Sequence, residues 1–105
     1  MPAAIKAAAR CSMRLNLSRH AVEAAASDRY GQITLPVAIT FGGKDIIEAE
    51  VLEGGRVTKI VVRLRYNAEF DCCYAIGEGG PLKTVWLNRA DDTHSTLNRS
   101  RYRPK

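Results

Sequence analysis

The sequence predicts an α+β fold in which an N-terminal helix packs on a small, mainly antiparallel meander of about four strands. Two observations carry most of that expectation. Between Val57 and Tyr66 three cations fall on one side of a two-residue period: Thr58, Ile60, Val62, Leu64 and Tyr66 lie on one face and Lys59, Val61, Arg63 and Arg65 on the other, the period of a strand. Short glycine- and polar-rich breaks then separate this segment from other strand-like runs at hairpin spacing. A third observation supplies the helix, an alanine-rich stretch that follows a serine.

Taken in order, Ser18 is placed to cap a helix over roughly residues 19–29, with Ala21, Val22, Ala24 and Ala25 as a narrow apolar stripe and Gly31 as the stop. Ile33, Leu35, Val37 and Ile39 alternate up to Phe41, but Pro36 interrupts them. Proline gives the ladder no N–H, so this segment reads as an edge strand or the first turn of a short helix. A strand over residues 45–51 puts Ile47, Ala49 and Val51 on one face and Glu48 and Glu50 on the other. Glu53-Gly54-Gly55-Arg56 turns the chain into Val57–Tyr66, Asn67-Ala68-Glu69 into Phe70–Ile76, and Gly77–Pro81 into Leu82–Leu87. Residues 1–12 read as a disordered or alanine-rich extension, and residues 13–105 as one domain ending in a basic tail.

Composition narrows the function classes. The 105 residues carry 16 Lys and Arg against 11 Asp and Glu, a net charge of +5. The excess sits at the ends: +3 over residues 1–30, −1 over 31–87 and +3 over 88–105. A basic balance gathered at the termini favours a polyanionic partner, nucleic acid first, against the plainer reading that +5 keeps a small domain soluble. No apolar run approaches the ~20 residues of a membrane span. Cys11 stands alone, and Cys72 and Cys73 are adjacent, so in a strand they point to opposite faces and make a poor disulfide. Small buried hydrophobes in a reducing, cytoplasmic compartment are the expectation.

No glycine-rich nucleotide loop, nucleophile elbow or zinc spacing is present. Asp91, Asp92 and His94 are too small a set for a metal centre, and neither metal nor cofactor is expected. The remaining chemistry suits metal-independent RNA cleavage. That reaction needs a base for the 2′-hydroxyl, an acid for the leaving 5′-oxygen and cations for the charged phosphorane. His20, His94, Arg63, Arg65, Arg99, Arg101 and Tyr102 are residues of those types. Lys59, Arg63 and Arg65 have two readings: ion pairs to Glu48 and Glu50 across the hairpin, or a phosphate-accepting face.

A helix carrying Ser-x-His-Ala (Ser18, His20, Ala21) ahead of a strand meander resembles the Barnase–EndoU–Colicin–RelE class of small RNases. Within it, the chain is most similar to small, often phage-encoded RelE-like proteins. The resemblance covers roughly Met13–Tyr102 and is carried by Ser18–Ala21, Lys83–Asn88, Asp92-x-His94-x-Thr96-Leu97 and Ser100-x-Tyr102. It implies an endoribonuclease site on the open sheet face, carried over to His20, Arg63 or Arg65, His94, Thr96 and Tyr102, with RNA or the ribosome as partner. The chain departs from the class in the slightly acidic balance of its centre, which suits an RNA-binding descendant that no longer cleaves. The other reading is a non-enzymatic phage or mobile-element protein that blocks a host protein or nucleic-acid-handling complex, or coats nucleic acid, with Arg99, Arg101, Arg103 and Lys105 as a phosphate-gripping tail and Lys59 a further nucleic-acid contact on the sheet.

Overall fold

The computed structural model describes residues 11–92. In chain order these form β1 (Cys11–Arg14), β2 (Asn16–Leu17), α1 (Arg19–Ala26), β3 (Ala38–Phe41), a 310 turn (Gly43–Asp45), β4 (Ile46–Val51), β5 (Val57–Arg65), β6 (Phe70–Gly77) and β7 (Pro81–Arg89). The strands make a five-stranded sheet in the order β2-β7-β6-β5-β4 and a separate two-stranded sheet of β1 and β3. β4 to β7 run antiparallel to their neighbours, and the two residues of β2 add to β7 in parallel.

This overturns the expected α+β class. The described residues are 51% strand and 13% helix, the 310 turn included. The helix is not the first element on a four-stranded sheet but follows two strands. The physical reason lies in Ser12-Met13-Arg14-Leu15, where polar and apolar residues alternate. Met13 and Leu15 turn inward, Leu15 fully buried, while Ser12 and Arg14 are exposed. β1 pairs with β3 in the register Met13 to Ile39 and Ser12 to Thr40, with the two exposed hydroxyls 2.9 Å apart.

The helix starts where its sequence says it should. The Ser18 hydroxyl accepts the Ala21 N–H at 3.0 Å, satisfying one of the unpaired donors of the first turn. It ends at Ala26, earlier than Gly31 suggests, because Asp28 redirects the chain. One carboxylate oxygen of Asp28 accepts the Tyr30 N–H at 3.0 Å and the other accepts the Leu87 N–H of β7 at 3.2 Å. The same side chain thus closes an Asx turn and occupies an open donor on the edge of β7. Pro36 confines β3 to Ala38–Phe41, although Ile33 still reaches the core at 4% exposure.

The main core lies between the five-stranded sheet and a layer formed by α1, β1 and β3. Ala21 and Ala25, whose small side chains let the helix approach closely, pack with Ile39, Phe41, Val62, Cys72, Tyr74, Ile76, Leu82, Val85 and Leu87. Each fully buried aliphatic side chain in this set contributes on the order of 1.5–3 kcal/mol. Loop 28–37 is held over the same side, where the Tyr66 hydroxyl accepts the Thr34 N–H at 2.9 Å. The opposite face of the sheet carries a smaller cluster of Val61, Cys73 and Ala75, flanked by Ile47 and Trp86.

β4 departs from the alternation expected of it. Register shifts between Ile46 and Glu48 and between Glu50 and Val51 mark two irregularities. Ile46 lies opposite Val62 and packs against the main core, Ile47 packs on the other face, and Val51 is 55% exposed. Bulges and outward carboxylates are common ways to blunt an edge strand. The following turn is set by Gly54 and Gly55, both at positive φ (89° and 85°), a backbone region that other residues enter at a cost. Among the described residues no helix is long and apolar enough to cross a membrane.

Candidate functional site

Strand alternation puts Lys59, Val61, Arg63 and Arg65 on the sheet face away from the helix. Across the ladder Arg63 faces Cys73, which faces Trp86, and Arg65 faces Asp71, which faces Asn88. Asp71 is the hub of this constellation. Arg63 Nε donates to its Oδ2 at 2.8 Å, and Arg65 Nε lies 3.4 Å from its Oδ1. The first pair is nearly enclosed, with side chains 13% and 16% exposed, whereas the Arg65 side chain is 62% exposed. Arg63 also donates through one terminal nitrogen to the carbonyls of Arg89 (3.1 Å) and Asp92 (2.7 Å). A guanidinium presents a planar fork of donors, and here the fork fastens the end of β7 to the middle of β5.

Several other charged side chains of the hairpins are also paired. Arg56 grips Glu78 through Nε (2.9 Å to Oε2) and a terminal nitrogen (2.8 Å to Oε1). Glu50 accepts the Thr58 hydroxyl at 2.7 Å, and Arg89 pairs with Asp91 at 3.4 Å. A cavity of about 200 Å³ opens near Met13, Val57 and Ile76, with Lys59 and Glu78 as its charged lining, and Glu78 is the carboxylate Arg56 holds. Burial pushes the Cys72 and Cys73 thiols up to about 12, the nearby Arg63 charge offsetting part of the effect at Cys73. Thiols so displaced stay protonated at neutral pH and are poor nucleophiles. Among the described residues no group of three or more His, Cys, Asp and Glu could hold a metal ion.

The sequence-predicted residues therefore divide. Arg63 and Arg65 come together, but on Asp71 rather than on an open phosphate seat. Lys59 shares their face, opposite Glu50 and Gly77. His20 is exposed in the first turn of α1. The helix covers the main-core side through Ala21 and Ala25, so the sheet stands between that imidazole and Arg63. His94, Thr96, Arg99, Arg101, Tyr102 and Arg103 lie outside the described residues. Asp71 and Asn88 were missed by sequence reasoning. Asp71 had a readable signal, since a turn centred on Ala68 places Arg65 directly across from it. Asn88, 1% exposed and donating from Nδ2 to Cys73 Sγ at 3.4 Å, looks in sequence like the polar end of a strand. No protein-family model matches this chain, and no curated protein or solved structure matches it either.

Proposed function

We propose that this chain binds RNA without cleaving it, using its basic termini for phosphate contact and the β-rich body as a nearly neutral support. The observation that carries this reading is how the charge is divided. Residues 11–92 hold ten Lys and Arg against eleven Asp and Glu, a net −1. Residues 1–10 add +2 and residues 93–105 add +4, with no acidic residue in either segment. Five of the seven arginines of residues 11–92 are paired internally, Arg19 with Glu23, Arg56 with Glu78, Arg63 and Arg65 with Asp71, and Arg89 with Asp91. A cleaving site would need an imidazole beside cations, and the one histidine among the described residues, His20, stands on the other side of the sheet from Arg63. Descent from a RelE-like RNase belongs to the same proposal.

The test is the salt dependence of binding to single-stranded RNA. Each phosphate neutralised by a cation releases counterion, and the slope of log K against log salt is about −0.7 per contact on single strands. Replacing Arg99, Arg101, Arg103 and Lys105 with Gln should lower the slope by about 3, and the RNA should be recovered intact. An unchanged slope refutes the tail as the contact, and cleaved RNA refutes the non-catalytic reading.

A protein partner is the second reading, favoured by the apolar tip of the β4–β5 hairpin. There Val51, Leu52 and Val57 are 55%, 49% and 45% exposed, a small patch of the kind that marks contact surfaces. Wild-type protein that shows no salt-dependent RNA affinity would shift the assignment to that tip.

A further inference from the structure

Where β5 turns into β6, aromatic and cationic side chains are interleaved at the surface. Tyr30 is 38% exposed, its ring centroid 4.9 Å from that of half-buried Phe70 and the two planes 33° apart. The Arg29 guanidinium lies over the Tyr30 ring, 4.8 Å from its centroid, within reach of a cation–π contact. Arg29 is exposed and makes no ion pair among the described residues. Directly across the β6–β7 ladder from Phe70 stands Arg89, its side chain 57% exposed. Residues opposite one another in a ladder project from the same face.

Tyr30 is held in place through its backbone. Asp28 Oδ2 accepts the Tyr30 N–H at 3.0 Å, and the Asp28 carbonyl accepts the Gly31 N–H at 3.0 Å. The other carboxylate oxygen of Asp28 fastens this turn to β7 through the Leu87 N–H. Phe70 packs against the main core, while Tyr30 lies outside it. The Tyr66 hydroxyl accepts the Thr34 N–H, whereas the Tyr30 hydroxyl makes no hydrogen bond among the described residues. A ring fixed in this way loses little freedom when a ligand stacks on it.

We propose that Arg29, Tyr30 and Phe70 form a stacking seat for a base of single-stranded RNA, with Arg29 and Arg89 taking the adjoining phosphates. This rests on the RNA-binding reading and adds what basic termini alone lack, a contact to bases. Aromatic rings and guanidinium planes both offer flat faces to a splayed base. Every base has such a face, so the seat accepts any sequence. The charge is complementary too. Asp28 already serves two backbone N–H groups. Asp91 meets Arg89 only at 3.4 Å, through side chains 77% and 57% exposed, a pair that a phosphate can displace.

Binding of the full chain to two single strands of equal length, an oligoadenylate and one with abasic sugars, reads the seat at fixed salt. Wild type should prefer the base-bearing strand by about tenfold, the size expected of one stacked base. Tyr30→Leu keeps an apolar contact on Phe70 but removes the flat face, and should abolish that preference. Its slope of log K against log salt should not change, because no charge is removed. A preference unaltered in Tyr30→Leu overturns the seat. So does wild type that binds both strands equally, although salt-dependent binding of that kind leaves the reading of the basic termini standing. Binding to neither strand refutes both. Should Tyr30→Leu lower the urea midpoint, Tyr30→Trp decides, since it keeps a flat ring and adds fluorescence at the seat. Quenching by the base-bearing strand beyond that of Trp86 in wild type supports stacking, and its absence overturns it.

Discussion

Replacing Arg63 with Ala separates a structural clamp from a phosphate-binding side chain. The guanidinium donates to Asp71 at 2.8 Å and to the carbonyls of Asp92 and Arg89 at 2.7 and 3.1 Å, with only 13% of the side chain exposed. A hydrogen bond involving a charged group is worth about 1.5–3 kcal/mol net. The bonds share one side chain and are not additive, so their joint loss is expected to cost about 3 kcal/mol. Thermal midpoints of domains this size move about 4–8 °C per kcal/mol, which puts the expected fall at about 12–24 °C. Trp86, the single tryptophan, lies two positions along the same cross-strand row and provides a fluorescence signal for urea unfolding. Lys at position 63 reaches fewer of these acceptors and should recover less than half of the loss. A double-mutant cycle with Asp71→Ala should return a coupling of at least about 1 kcal/mol. A loss under about 0.5 kcal/mol, the size expected of an ordinary surface change, would refute the clamp and return Arg63 to the candidates for ligand contact.

Three further predictions follow from other parts of the molecule. Ser18→Ala removes the acceptor for the Ala21 N–H and should cost about 1 kcal/mol, read from the urea midpoint; no change would mean that the cap contributes nothing. Leu82→Ala empties a 0%-exposed position in the main core and should cost about 2–5 kcal/mol, so a smaller loss would mean that the layer of α1, β1 and β3 collapses onto the gap. Stability should be highest below pH 9 and fall from there towards pH 12, because an unfolded thiol ionises near 9 while folded Cys72 and Cys73 resist until about 12. Each thiol adds a slope of about 1.4 kcal/mol per pH unit in that window, and Tyr74, also raised by burial, acts in the same direction. Urea midpoints that stay level between pH 8 and 10.5 would contradict this.

The hairpin spacing and the two faces of β5 were legible because both rest on local rules. Alternation over nine residues assigns sides by geometry alone, and paired glycines force a turn whatever surrounds them. The Ser18 cap is local in the same way. Where two local signals conflicted, the reading failed. The alternation of Ser12 to Leu15 is only four residues long and carries no turn signal beside the Ser18 cap, so the helix after Ser18 reads as the first element of the domain although two strands precede it. β4 was read as a regular strand, but its register shifts arise from pairing with β5 and leave no mark in its own six residues.

Sequence alone determined the charge division, the single tryptophan, the separation of Cys72 from Cys73 by strand geometry, and the side from which Lys59, Arg63 and Arg65 project. Only the tertiary structure decided what those cations meet. Arg63 finds its carboxylate on β6 and its carbonyls at the end of β7, partners 8 to 29 residues away. Which strands neighbour β5, and in what register, depends on how the apolar faces of the whole chain can be buried together. For the same reason His20 and Arg63, both suited to RNA cleavage by residue type, stand on opposite sides of one sheet.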